Sequence, residues 1–207
     1  MELKHFYNLH EGETILLVGN GENLHLTPPA RFDCPSIGMN TIHKYVGWQP
    51  DYYITVDHRV YREFGEEINE KYRDVPKFIP HPDLNVWQGE NFYRFHHHAG
   101  ELSLGDFLGG ITYANVMHAA MQLAYFMGAS TILMIGIHHK PDASRAHFWG
   151  NDERIPEEPP LDRWLDGYKL LADAMTRRGV KVLNISEDTH VPENILTRGD
   201  WRDYVKG

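Results

Sequence analysis

Cysteine is nearly absent: Cys34 is the one thiol in 207 residues. An intrachain disulfide and a thiolate metal cluster are therefore excluded, and a reducing cytoplasm suits such a chain. Long apolar runs are also lacking. None approaches the roughly 20 residues that span a bilayer, and Met1-Glu2-Leu3-Lys4-His5 has no apolar core of the signal-peptide kind. Positive charge is scarce, with 20 Lys and Arg against 29 Asp and Glu, a net charge of −9. An acidic surface repels a phosphate backbone, which disfavours nucleic acid as a general partner. There is no internal repeat, no low-complexity tract and no Gly-x-Ser-x-Gly elbow for Ser/His/Asp hydrolysis.

What remains is an ordinary globular composition, 42% hydrophobic and 24% charged, which argues against disorder. The length suits a single domain over 1–207. Fourteen histidines keep acid–base and metal chemistry open. Thr14-Ile15-Leu16-Leu17-Val18-Gly19 and Thr131-Ile132-Leu133-Met134-Ile135-Gly136 are continuous apolar runs ended by glycine, as buried parallel strands should be. Further strands are predicted over 36–40, 51–57, 77–80, 91–96 and 180–185. Helices are predicted over 59–72, from about 111 to 127, and after Pro159-Pro160 to Gly179. The alternation implies an α/β fold: a mostly parallel, Rossmann-like sheet with helices on both faces. Residues 138–160 form a polar, Pro-rich loop too long for a plain connection, and are expected to be a mobile lid.

Ligands of such sheets bind beyond the carboxyl ends of the strands. Asn20, Asn40, Asp57, His138 and Ser186 fall there. Gly19-Asn20-Gly21 allows close backbone approach, and its amides can face a phosphate; the alternative is a tight turn. Asn40 and Asp57 suit sugar hydroxyls or Mg²⁺, or else serve as helix caps. Gly110 and Thr112 open the expected central helix, whose N-terminus favours an anion; a capped, closely packed helix is the alternative. His147, in Ala146-His147-Phe148-Trp149-Gly150, suits a general base, and Trp149 a ligand-stacking surface or a packing residue. His96 and His98 would share one side of a strand and chelate a metal, or else simply end it.

Ile15 through Leu24 resembles the "GNGPSL" opening of bacterial lipooligosaccharide sialyltransferases and of motility-accessory-factor glycosyltransferases. Ile37-Gly38-Met39-Asn40, Gln49 through Asp57, Gly110 through Ala124, Leu133 through Ile137 and His147-Phe148-Trp149-Gly150 are similar to later segments of those families, in the same order. Glu22-Asn23 replaces their Pro-Ser, and His138 stands where an Asp is common. The resemblance implies a GT-A-like fold and a nucleotide-sugar donor, with Asn20, Asn40 and Thr112 on the nucleotide or its phosphates. His147 would be the base, and His138 and Tyr168 would orient groups or protonate the leaving group. No metal cofactor is required on this reading. The acceptor stays open among glycan, protein, small molecule and modified base, as does a homo-oligomer. The neighbouring 6-hydroxymethylpterin diphosphokinases share a similar layout and imply instead that Asp57 holds Mg²⁺ for ATP. A non-catalytic nucleotide-binding module is the third reading.

Overall fold

A computed structural model describes residues 2–81, 90–140, 146–151 and 160–205. Its centre is a seven-stranded, wholly parallel sheet. The strands are β1 (Thr14–Val18), β2 (Ser36–Met39), β3 (Tyr52–Ile54), β4 (Lys77–His81), β5 (Phe92–His96), β6 (Thr131–Ile135) and β9 (Lys181–Asn184). A separate two-stranded hairpin joins β7 (Ala146–His147) to β8 (Gly150–Asn151). The sheet order is β5-β4-β3-β2-β1-β6-β9. The chain walks outward from β1 to β5, then returns to the other side of β1 through β6. The topological switch point therefore lies between β1 and β6.

β1 is buried on both faces, which explains its continuous apolar run. Ile15 and Leu17 pack under α2 (Val116–Phe126) and α3 (Leu161–Thr176). Leu16 and Val18 pack with Val60 and Ile68 of α1 (His58–Lys71) on the opposite face. Each such side chain contributes about 1.5–3 kcal/mol by leaving water. α2 packs on β1, β2, β3 and β6 and against α3, which itself packs on β9, so Met117, Ala120, Met121 and Ala124 are buried and the helix is covered on nearly every side. Gly128 and Gly179 follow α2 and α3 in the left-handed conformation (φ +89° and +85°) that ends a helix.

Two predicted boundaries differ from the structure. α2 begins at Val116, capped by the Asn115 side chain accepting from the His118 amide, not near Ile111. Gly110, at φ +124°, and Ile111 instead form β-bridges with Asp106 and His97. Strand β3 is also shorter than the 51–57 run, because Thr55 and Asp57 turn into the start of α1. No helix among the described residues is long and apolar enough to cross a membrane. Much of the expected lid, 141–145 and 152–159, lies outside the described residues. Its described parts are residues 138–140, the β7–β8 hairpin and Pro160.

Candidate functional site at the carboxyl edge

The glycine turn after β1 pairs with the end of β6. Gly19 N–H donates to Ile135 O at 2.9 Å, and Gly21 N–H to Gly136 O at 2.8 Å. The β1–β6 ladder thus runs on past both strands, and these two amides are engaged rather than turned toward a phosphate. Glycine is required for this approach. A Cβ on Gly19 would stand 2.6 Å from Gly136 O, and one on Gly136 2.6 Å from Gly19 O. The first element after the turn is a short 3₁₀ helix, Glu22–Leu26, rather than a long phosphate-facing helix.

Asparagines stitch the next strand ends together. Asn20 Nδ2 donates to Met39 O at 3.0 Å, while its buried Oδ1 has no partner. Asn40 Oδ1 accepts from Thr55 Oγ1 at 2.9 Å, and its carbonyl accepts from Tyr53 Oη at 2.7 Å. Asp57 caps α1, accepting from Arg59 N at 2.9 Å and pairing with the Arg59 guanidinium at 2.8 Å. Burial alone would raise the Asp57 pKa; the Arg59 hydrogen bonds and charge outweigh it and hold the carboxyl below its ordinary range. Asp57 is thereby a helix cap with its cation already in place.

The β7–β8 hairpin lies across this edge. His147 bridges Gly21, and Phe148 N–H donates to Asn20 O at 3.1 Å. Trp149 Nε1 donates to Thr41 Oγ1 at 3.0 Å, and Lys44 Nζ sits 3.7 Å from the centre of the Trp149 ring. Gly19, Asn20, Gly21 and His147 are thus drawn together, with the Asn40–Thr41 turn beside them.

His138 stands next to them, after β6. Its imidazole is 6% exposed, and neither ring nitrogen has a hydrogen-bond partner. Nδ1 is 3.8 Å from Glu22 Oε2, and Nε2 is 3.6 Å from Asp188 Oδ2. His190 completes a cluster in which one donor atom each from His138, Asp188 and His190 lie within 4.8 Å of one another. Asp188 and His190 escaped the sequence reading. They follow the last sheet strand with the alternation of a chelating pair, but only β6–β9 pairing sets them beside His138.

The remaining candidates lie elsewhere. Tyr168 is buried between α3 and α2, where Asn115 Nδ2 donates to its hydroxyl at 3.1 Å and His139 Nε2 lies 2.8 Å away. Burial raises its pKa, which disfavours loss of the phenolic proton. His118, fully buried beside it, bonds the Trp164 carbonyl at 3.0 Å. Burial lowers the pKa of both His118 and His139 to about 4. Thr112 accepts from Ser103 N at 3.0 Å and lines a cleft of about 650 Å³ with His97, Tyr113, Arg163 and Asp166. Gly110 precedes it, a Cβ there meeting His98 Nε2 at 2.3 Å. His98 Nε2 is 2.9 Å from Gly109 O and His97 stacks on Tyr113, so the 96–98 run is tied into this loop.

No family model matches the chain, and no curated protein matches its sequence.

Proposed function

We propose that this protein is a glycosyltransferase whose nucleotide-sugar donor lies along the carboxyl ends of β1, β2 and β6, with His147 as the base that deprotonates an acceptor hydroxyl. The observation that carries the reading is the docking of the β7–β8 hairpin on Gly21, Asn20 and Thr41, which sets His147 beside the switch point. Open α/β sheets bind ligands there. Imidazole is the side chain that most often serves as a general base. Asn20 Oδ1, buried and unpartnered, is an acceptor waiting for a ligand hydroxyl or amine. Lys44 supplies a cation beside Trp149 for a donor phosphate, since the Gly19 and Gly21 amides are taken by β6.

The pyrophosphokinase reading assigns Mg²⁺ to Asp57. That carboxylate already serves the α1 N-terminus and Arg59, which counts against it.

A thermal-shift series with CMP, UDP, GDP, ADP and ATP, each with Mg²⁺ and with EDTA, tests the proposal, because a ligand of the native state raises the melting midpoint. CMP, UDP or GDP should stabilise the chain, and His147→Ala should then lower transfer from the matching nucleotide-sugar by about 10²–10⁴-fold. Stabilisation only by ATP with Mg²⁺ would replace this reading with the kinase. Nucleotide binding without turnover would leave a binding module.

A further inference from the structure

We infer that His138, Asp188 and His190 form a divalent transition-metal site, with Glu22 orienting His138 from behind. The inference does not rest on the transferase reading.

The first ground is His138. Almost all of its surface is buried, and both ring nitrogens lack a hydrogen-bond partner. Buried polar groups are nearly always satisfied, and an exception points to a missing ligand. The second ground is spacing. The 3.6 Å from Nε2 to Asp188 Oδ2 is too long for a hydrogen bond. It suits two ligands of one ion, since metal bonds of about 2.0–2.1 Å in a tetrahedral site put donors roughly 3.3–3.4 Å apart. The third donor, from His190, falls inside the same 4.8 Å group.

The backbone holds the three together. His190 N–H donates to His138 O at 2.9 Å. Asn23 Nδ2 lies within reach of the carbonyls of Ile137, Glu187 and Asp188, at 3.3, 2.6 and 3.4 Å, pinning the β6 and β9 loops to the turn after β1. Asp188 and His190 are exposed, so their side chains can swing in to close a donor spacing of up to 4.8 Å while water or an oxygen-donor ligand takes the open positions. Glu22 faces the other nitrogen of His138. A carboxylate behind a ligating histidine fixes the tautomer and raises the ligand's basicity. Two imidazoles and one carboxylate suit Zn²⁺, Co²⁺, Fe²⁺ or Mn²⁺, whereas Mg²⁺ and Ca²⁺ prefer all-oxygen sites.

Co²⁺ titration of the metal-stripped full chain without nucleotide, read by visible absorption and calorimetry, provides the test. A single equivalent should bind with a ligand-field spectrum, be displaced by Zn²⁺ and be indifferent to Mg²⁺. His190→Ala and Asp188→Asn, both at exposed side chains, should keep the metal-free melting midpoint and weaken Co²⁺ by more than about 100-fold. Glu22→Gln should weaken it by about 10–100-fold. Co²⁺ that fails to bind, or binds His190→Ala and Asp188→Asn as tightly as the parent, overturns the site. Loss instead in a His96→Ala, His98→Ala double variant would assign the ion to that run and also overturn it. Because no nucleotide is present, failure here is distinct from failure of the transferase reading.

Discussion

His138 and His139 are neighbours in the chain yet belong to opposite kinds of polar environment. His139, at φ +48°, turns toward the helices, where its ring meets Tyr168 and Trp164. That region is closed on itself: Asn115, Tyr168 and His139 are hydrogen-bonded in series, and His118 is bonded at both nitrogens. His138 turns to the edge, between Glu22 and Asp188, with neither nitrogen bonded. A satisfied network rigidifies a core, while an unsatisfied one calls for a ligand. Histidine count alone cannot separate the two; their hydrogen bonds do.

Acid should expose the difference most strongly. His118 and His139 have folded-state pKa values near 4, below the ordinary 6.5, because burial disfavours the charged ring. The folded state therefore holds fewer protons than the unfolded state between those values. Stability is complete above pH 6.5 and is lost as pH falls toward 4, by up to about 1.4 kcal/mol per pH unit for each histidine. Buried His43, on the other face, adds to the same slope. Urea melts across this range should show the loss, and His118→Gln should flatten it by about one proton. An unchanged slope would remove His118 from the account.

Gly136→Ala strikes the hinge that both regions share. Its Cβ would meet the Gly19 carbonyl at 2.6 Å, and φ is +67°. A loss of about 3 kcal/mol is expected in denaturant melts, the upper part of the range for overpacking. Tolerance of alanine there would mean that the β1–β6 contact is loose. Tyr168→Phe should cost about 1–3 kcal/mol, since it strips Asn115 and His139 of a partner while keeping the ring. His138→Leu in the metal-free chain should change stability least, by about 0.5 kcal/mol or less, because no hydrogen bond is lost. A loss comparable to that of Tyr168→Phe would equate the two regions and undercut the distinction.

The elements were readable where one physical rule dominated. Continuous apolar runs marked β1 and β6, and the apolar stripe from Leu161 to Met175 marked α3. Gly110 and Ile111 look like a helix opening in the sequence, whereas their bridges to Asp106 and His97 keep them out of α2. Asn115 carried the true cap signal. Gly19 and Gly21 were recognised as backbone-approach positions, but what approaches is strand β6. Asn20, Asn40 and Asp57 do fall at strand ends; a tight turn was the alternative for Asn20 and a helix cap for Asn40 and Asp57, and Asp57 is found capping α1 beside Arg59. Tyr168, a catalytic candidate on the resemblance, is buried on the inner face of its helix.

The sequence by itself determined the layers, because burial on one or both faces imposes periodicities that no other arrangement needs. It also determined that the polar residues after each strand share one edge. Tertiary structure alone decided which of them meet. The return of β6 to the far side of β1, and of β9 beside β6, brings residues 22, 138 and 188–190 together across more than a hundred positions of chain. Such contacts depend on strand order and loop direction, and a local pattern of side chains carries no record of either.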